Sequence, residues 1–448
     1  MSTYTISNTK LNSNRVFILQ KSELEKRLDP QFYKQEYKEI INNIKKGKNA
    51  RLGNIVRFSS ETWNQNDFFV DTFPYIEISE IDTISGEIQN IVQIKKENAA
   101  SRAKMIVREN DIIVSTTRPN RGAIALIKKE QDFSIASTGF SVIRSFTNKE
   151  INREYLFAIL RQQIILKQFE QRSSGGNYPA ITQEELNNVT IPIVVKTKQE
   201  KIINIFKNAF EQKKQNEAET ERLLSSIDDY LLGELGINLP EPPENTLRNR
   251  MFMVCLNEVS GGNLSPIYFL KQKYSAYTSK YEQYQLKDIS NMYQPKTISQ
   301  QEMSENGKYK VYGANGHIGY YDNYNHIEKE VLITCRGATC GQINLSEPKS
   351  WITGNAMVVQ LTQSFIKKEY LFDILQTLSL DVVITGSAQP QITRENLKIF
   401  KIPIPPLNKQ KEITNHISAI RKQAQKLKDQ ISEALNEASK EIENILLN

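Results

Sequence analysis

Arginine, lysine, asparagine, glutamine and threonine gather in the breaks between short apolar runs of this sequence. In the first half they are Arg57, Thr62, Asn64, Arg102, Lys104, Arg118, Asn120 and Arg121, with Trp63 among them. In the second half they are Lys296, Asn315, Arg336, Thr339, Gln389 and Gln391, with His317, Tyr320 and Tyr321 alongside. These residue types recognise; they do not make bonds. An arginine fork pairs with the two major-groove acceptors of guanine, and Asn or Gln pairs with adenine. Lysines and loop amides hold phosphates. The loop Ser173-Ser174-Gly175-Gly176-Asn177-Tyr178 adds two glycines whose backbone N–H groups can face an anion. A solvated loop Arg or Lys is usually only that. Arg118 and Arg336 stand out because each follows the same apolar strand in its half. Tyr320-Tyr321 reads equally well as packing or as stacking.

Bond-making chemistry finds little support. The three histidines, His317, His326 and His416, join no Ser/His/Asp or Cys/His arrangement. No G-x-x-x-x-G-K-[ST] phosphate loop is present. A nucleic-acid methyltransferase needs a glycine-rich cofactor loop and a Pro-Pro-aromatic or Pro-Cys element, yet Pro242-Pro243 precedes Glu244 and Pro405-Pro406 precedes Leu407. Glu36-Tyr37-Lys38 has the letters of a nuclease triplet, common by chance in a chain that is 24% charged. Cys335 and Cys340 have the spacing of half a metal site, but no second pair or nearby His completes it, so a metal is not expected.

The elements that must position these loops are short strands and long helices. Asp111–Ser115, Ala123–Ile127 and Phe140–Ile143 read as strands, broken at Arg118–Gly122 and, in the second half, at Arg336–Thr339. Arg153–Phe169 and Lys368–Leu380 read as amphipathic helices, and Val189–Val194 and Phe400–Pro405 as short strands. Each half then enters a long helix, from about Lys198 to Leu235 and from about Lys409 onward. The first carries a seam at Ile202, Phe206, Ala209, Lys213, Asn216, Thr220, Leu223, Ile227 and Tyr230. Adding 211 gives Ile413, Ile417, Ile420, Ala424, Leu427, Ile431, Ala434, Ala438 and Glu441. Alternating steps of four and three keep one face in line, as lengthwise packing requires. Lys213, Asn216 and Thr220 make that seam locally wet, or fix its register as a buried Asn can.

The helices close a longer repeat. Arg15–Ile18 returns as Arg250–Met253, Leu28–Pro30 as Leu264–Pro266, and Lys34–Tyr37 as Lys271–Tyr274. Leu52–Ile55 returns as Leu286–Ile289, and Asp111–Ser115 as Glu330–Thr334. Glu154–Phe157 returns as Glu369–Phe372, Pro179–Thr182 as Pro390–Thr393, and Ile191–Ile193 as Ile402–Ile404. The offset falls from 234 at Leu52 to 219 at Asp111 and 211 at Pro179, so the second copy has lost residues between Leu286 and Glu330. The frame repeats while its interior diverges. Proline-rich Leu239–Glu244 joins the copies.

Length and composition set the outer bounds. The 448 residues suit two domains, and net charge +7 is compatible with nucleic acid without being diagnostic of it. Mean hydropathy is −0.49 and no apolar run is long enough for a membrane span. Three cysteines, Cys255 among them, fit a reduced, cytoplasmic protein.

In its two-copy layout and its junctions the chain resembles the specificity subunits of Type I restriction–modification systems. The junctions are Pro179-Ala180-Ile181-Thr182, Ile191-Pro192-Ile193 and Gln199-Glu200-Lys201-Ile202, against Pro390-Gln391-Ile392-Thr393, Ile402-Pro403-Ile404-Pro405-Pro406-Leu407 and Gln410-Lys411-Glu412-Ile413. Arg336-Gly337 is similar to that family's Arg-Gly element, where the first copy has Arg118-Pro119. The resemblance implies an α+β fold with two similar target-recognition domains. It implies a pseudo-twofold repeat and two long antiparallel coiled-coil helices holding the domains apart. The expected bounds are 1–197 and 250–408 for the domains, 198–236 and 409–448 for the helices, and 237–249 for the linker. It implies a non-catalytic subunit, without cofactor or metal of its own, that reads a two-part duplex DNA target. Methyltransferase subunits carrying S-adenosylmethionine chemistry and a motor-nuclease restriction subunit would be its partners. Helices of about 57 Å would span on the order of 17 base pairs. Gly176, Asn177 and Tyr178 join the expected DNA contacts, and Ile202, Phe206, Leu223, Ile227, Ile413, Ile420, Leu427 and Ile431 the coiled coil. Three other readings remain open here: a specificity module of a related restriction–modification or phage-defence methyltransferase, a related fused or stand-alone enzyme, and a coiled-coil protein scaffold without DNA binding.

Overall fold

The structure is a computed structural model. It describes residues 19–239 and 277–448 except Lys26, Gln65, Val70, Ser387 and Ala388, together with Thr246, Arg248, Met251 and Met253. The repeats at Arg15–Ile18, Leu264–Pro266 and Lys271–Tyr274, most of the linker, and Cys255 lie outside the described residues. The chain forms two compact units, residues 1–216 with 429–448, and residues 217–428. Each is described by itself.

The first unit is built on two four-stranded sheets. Its strands are β1 (Asn49–Arg51), β2 (Val56–Phe58), β3 (Thr72–Ile76), β4 (Val92–Lys95), β5 (Ala103–Ile106), β6 (Ile112–Ser115), β7 (Ile124–Leu126), β8 (Ile135–Ser137), β9 (Phe140–Phe146) and β10 (Thr190–Pro192). One sheet runs β2-β9-β6-β7 and the other β4-β3-β8-β5. Strand β6 explains the layering. All four of its residues are buried, and successive side chains of a strand face opposite ways. Ile112 and Val114 join a core with Leu156, Ile165 and Phe169, while Ile113 joins a second core with Ile76, Ala136 and Val142. A β-branched run with no polar face therefore packs helices on one side and the other sheet on the opposite side. Those helices are α1 (Gln35–Lys45), α3 (Arg153–Leu160) and α4 (Gln163–Arg172); the short α2 (Leu52–Ile55) and α5 (Gln183–Asn187) follow β1 and precede β10. The expected single helix Arg153–Phe169 is thus two, broken at Arg161-Gln162. There Arg161 donates to the carbonyls of Gly122, Ile124, Thr83 and Ile84.

The second unit repeats the frame. It has β11 (Gln283–Gln285), α7 (Leu286–Ile289), β12 (Ser290–Tyr293), β13 (Tyr309–Gly313), β14 (Gly316–Tyr321), β15 (Val331–Thr334), β16 (Ile343–Leu345), β17 (Trp351–Ile352), β18 (Ala356–Leu361), α8 (Lys368–Thr377), β19 (Ile384–Thr385), β20 (Gln391–Ile392), α9 (Arg394–Lys398) and β21 (Lys401–Pro403). The order β12-β18-β15-β16 matches β2-β9-β6-β7. The second sheet is only β14-β13-β17. The parallel pairings β3/β8 and β13/β17 correspond, so the missing strand is the counterpart of β5. That accounts for the residues lost before Glu330.

The repeated motifs are joints. Tyr155 and Tyr370 donate their hydroxyls to the carbonyls of Pro192 (2.8 Å) and Pro403 (2.7 Å). Thr182 and Thr393 cap α5 and α9, accepting from the N–H of Glu185 and Asn396, 3.2 Å each. Buried Gln199 accepts from Asn152 N–H and donates to the carbonyls of Glu150 and Val194. Gln410 repeats this with Lys367, Phe365 and Pro405.

The long helices are α6 (Lys196–Leu235) and α10 (Leu407–Leu447). Among the described residues of the first unit, Ile202 and Ile203 share a core with Ile442 and Leu446, and Lys201 pairs with Glu441 at 2.9 Å. In the second unit Ile227, Leu231 and Leu235 share a core with Ile413 and Ile417. There Tyr230 lies against His416 and Glu234 pairs with Lys409, so the two helices run antiparallel. The expected seam is buried or half-buried at every position but its last. Glu441 is exposed and Ile442 is buried. The first helix makes the same four-residue step, from Ile227 to fully buried Leu231. Lys213 turns its ammonium to Asp82 (3.2 Å).

Candidate nucleic-acid interface

In the first unit the strand β6 ends in a joint. Arg118 adopts a left-handed conformation, φ 48° and ψ 50°. Its N–H donates to the carbonyl of Pro179 (2.7 Å) and its Nη2 to that of Asn177 (3.0 Å). Its guanidinium lies 4.3 Å from the centroid of the Tyr178 ring, and that ring is 71% exposed. Gly175, at φ 105°, turns the chain between them. Arg118, Gly176, Asn177 and Tyr178 are therefore brought together, with Tyr178 outermost.

Thr62, Trp63, Asn64 and Lys104 also meet. They line a hollow of about 300 Å³ with Ala99–Ser101 and Ala103. Thr62 bridges Met105 of β5, and Trp63 N–H donates to the Lys104 carbonyl (2.7 Å). Trp63 offers DNA no ring face. Its ring is 3% exposed and packs 4.5 Å from Phe73, so it cannot stack on a base. Arg102 lies just before β5, exposed, beside Tyr75, Glu77 and Ser137. Asn120 and Arg121 sit elsewhere, lining a hollow with Arg161, Phe206, Asn436 and Ser439. Arg57 stands apart, folded back onto the carbonyls of Gly53 and Val56.

An ionic cluster that sequence reading missed holds the first hollow. Arg144 pairs with buried Asp111 (2.8 Å) and with Glu61, Arg108 pairs with Glu61 (2.6 Å), and Arg144 also donates to the Ile106 carbonyl. The Arg108 hydrogen bond, outweighing burial, keeps the Glu61 carboxyl below its ordinary range. These residues are far apart in sequence, and no local pattern marks them. Asp82 is also lowered. Burial pushes it up, but the N–H groups of Ile84 and Ser85 and the Lys213 ammonium more than offset this. Arg161 was missed as well; burial brings its pKa down to about 10.

In the second unit the matching joint is made differently. Gly337, at φ 89°, donates its N–H to the Pro390 carbonyl (3.2 Å). The bridge Arg336/Gln391 takes the place of Thr117/Ala180. Arg118 thus corresponds to Gly337, and Arg336 to Thr117. The two arginines are one residue out of step, which corrects their expected equivalence. Arg336 and Gln391 are exposed neighbours, and Gln389 is exposed in the adjoining loop. Thr339 donates to the side-chain oxygen of Asn315 (2.5 Å) at the tip of the β13–β14 hairpin. His317, exposed on β14, lies edge-on to Tyr320 at 4.8 Å, whereas Tyr321 packs on Trp351. Lys296 is exposed in a separate loop anchored by the Gln294–Gly354 hydrogen bond.

Comparison with known proteins gives one consistent result. The Type I restriction modification DNA specificity domain matches residues 43–223 and again 278–437. The chain is 26% identical over 144 residues to the Type I restriction enzyme HindI specificity subunit of Haemophilus influenzae, covering 32% of this chain and 28% of that one. It is 28% identical over 102 residues to the EcoprrI specificity subunit of Escherichia coli, covering 23% and 25%. These matches span only about a quarter of either relative's length. A solved chain from work on complex assembly and conformational transition of the type I R-M system has the same fold. It aligns over 89% of this chain and 96% of its own, at 22% identity and TM-score 0.53.

Proposed function

Because the chain belongs to the Type I restriction modification DNA specificity family, we propose that it selects a two-part duplex DNA target, one part read by each unit. Methyltransferase subunits, which bring S-adenosylmethionine, and a motor-nuclease subunit act where it binds. The chain itself does no chemistry, holds no cofactor and works in the cytoplasm. The observation that carries this reading is the shared joint after β6 and β15. Its backbone hydrogen bonds are the same in both units, but it presents Tyr178 over Arg118 in one and Arg336 beside Gln391 in the other. A frame kept constant under altered outward residues suits two readers of unlike sequences. Arg336 and Gln391 have the donors for guanine and adenine edges, and Tyr178 offers a ring to a sugar or an unstacked base.

The test is exchange. Replacing residues 51–180 by the corresponding region of a relative, and mapping methylated adenines in cells that also express the partner methyltransferase, changes one half of the recognised sequence and leaves the other. Change in both halves, or in neither, overturns the reading. The purified chain supplied with S-adenosylmethionine or magnesium leaves DNA unmodified and uncut; either activity would contradict the non-catalytic assignment.

A further inference from the structure

The hollow at the edge of β5 has a composition that recognition by loops does not account for. Each polar side chain that lines it can donate. Asn64 uses its side-chain oxygen to accept from Asn66 N–H (3.2 Å), so its NH₂ is the part of the amide left to donate. Thr62 and Ser101 contribute hydroxyls, and Lys104 an exposed ammonium with no carboxylate partner among the described residues. Among the described residues no carboxylate lines the hollow; the two nearest in sequence to Thr62–Asn64 are engaged, Glu61 with Arg108 and Arg144 and Asp67 with the Asn64 N–H (2.9 Å). The indole Nε1–H of Trp63 is buried and meets no acceptor among the described residues. A buried donor left unpaired costs about 1–3 kcal/mol, so an acceptor at this place would recover that cost.

A relay of backbone hydrogen bonds links the hollow to the loop that carries Tyr178. Thr138 N–H donates to the Arg102 carbonyl (2.7 Å), and Thr116 N–H donates to the Gly139 carbonyl (2.7 Å). Thr117 bridges Ala180, and Arg118 follows. The start of β5, the turn after β8 and the Arg118 joint are thus stitched side by side along one rim. We propose that Thr62, Trp63, Asn64, Ser101 and Lys104 form a seat for one backbone phosphodiester of the first half of the target. This rests on the DNA-reading function proposed above. The second unit lacks a counterpart of β5, so the seat belongs to the first unit alone.

The experiment uses the full chain assembled with its partner methyltransferase, and duplexes in which single phosphodiesters are replaced, one at a time, by neutral methylphosphonates. With the native chain, one position in the first half-site weakens binding about tenfold, the loss of a charge-assisted hydrogen-bonded contact. In Lys104→Gln that position becomes silent, and the slope of log K against log salt falls by about one. Trp63→Phe keeps a packed aromatic ring but removes the pyrrole with its N–H, and gives a smaller loss at the same position only. If Lys104→Gln keeps the native slope, or its effect adds to every methylphosphonate alike, the seat is refuted while DNA reading stands. If the native assembly shows no salt-sensitive preference for its methylated target, the reading itself fails and the seat with it.

Discussion

After the central strand, the first unit places Arg118, and the second Gly337, at a positive φ, 48° and 89°. Glycine takes it freely, whereas a residue with a Cβ bears a cost of about 1–2 kcal/mol. Arg118 offsets that cost with a hydrogen bond to Asn177 and the cation–ring contact with Tyr178, the latter contributing about 0.5–1 kcal/mol at an exposed site. In the second unit the side chain missing from the joint reappears one residue earlier, as Arg336. The backbone problem is common to both units; where the side chain goes sets the surface. Moving an arginine by one position changes it from a brace for its neighbour into an outward donor.

The comparison breaks first if the buried locks differ. Gln199→Leu and Gln410→Leu each strand three backbone groups, and each destabilises its own unit by about 3 kcal/mol or more. Amide exchange in the two units reads the losses separately, and a silent substitution in either would mean the two frames are not equivalent. Next comes the joint. Gly337→Ala meets no atom within 4 Å at its Cβ, so its cost is conformational, about 1–2 kcal/mol. Arg118→Gly exchanges strain against lost contacts and leaves stability within about 1 kcal/mol. The same change loosens Tyr178 and lowers discrimination at the first half-site only, measured by binding to single-base variants. The smallest effect is in acid. His326 hydrogen-bonds Tyr293 (2.9 Å) and Asn325 (2.6 Å), and burial, then Lys368, lowers its pKa from the ordinary value. Its contribution is therefore complete above pH 6.5 and is lost as pH falls toward the folded value, by at most about 1.4 kcal/mol per pH unit. His326→Gln removes that dependence in the second unit. All three histidines lie there, so the first unit shows no histidine-linked loss.

The sequence made the joints legible because geometry restricts what can stand in them. Thr182 and Thr393 must accept, Tyr155 and Tyr370 must reach a proline carbonyl, and Gln199 and Gln410 must satisfy three groups at once; such residues recur in both copies. The seam was legible for the same reason until its last step, where Ile442 rather than Glu441 turns inward. What could not be read were pairings across long separations. Glu61, Arg108, Asp111 and Arg144 carry no local signature, and the parallel pairing of β3 with β8 skips four strands. That the Trp63 ring packs on Phe73 and offers no stacking face was equally hidden, because composition cannot separate a ring that packs from one that stacks. Arg118 and Arg336 were equated because adjacency to a strand fixes position only to within a residue, while the left-handed joint fixes it to one.

One detail of the first unit bears on how it is made. Its core includes Ile442 and Leu446, and Glu443 accepts from the N–H of Ile164 at the start of α4. These residues are encoded more than two hundred positions after the strands they complete. From the end of β10 at Pro192 to Ile442 is 250 positions, and at ribosomal rates of about 5–20 residues per second that delay is roughly 12–50 s. During this interval the nascent first unit lacks part of its apolar cover, so a message cut short before Ile442 yields a chain whose first unit is left unfinished.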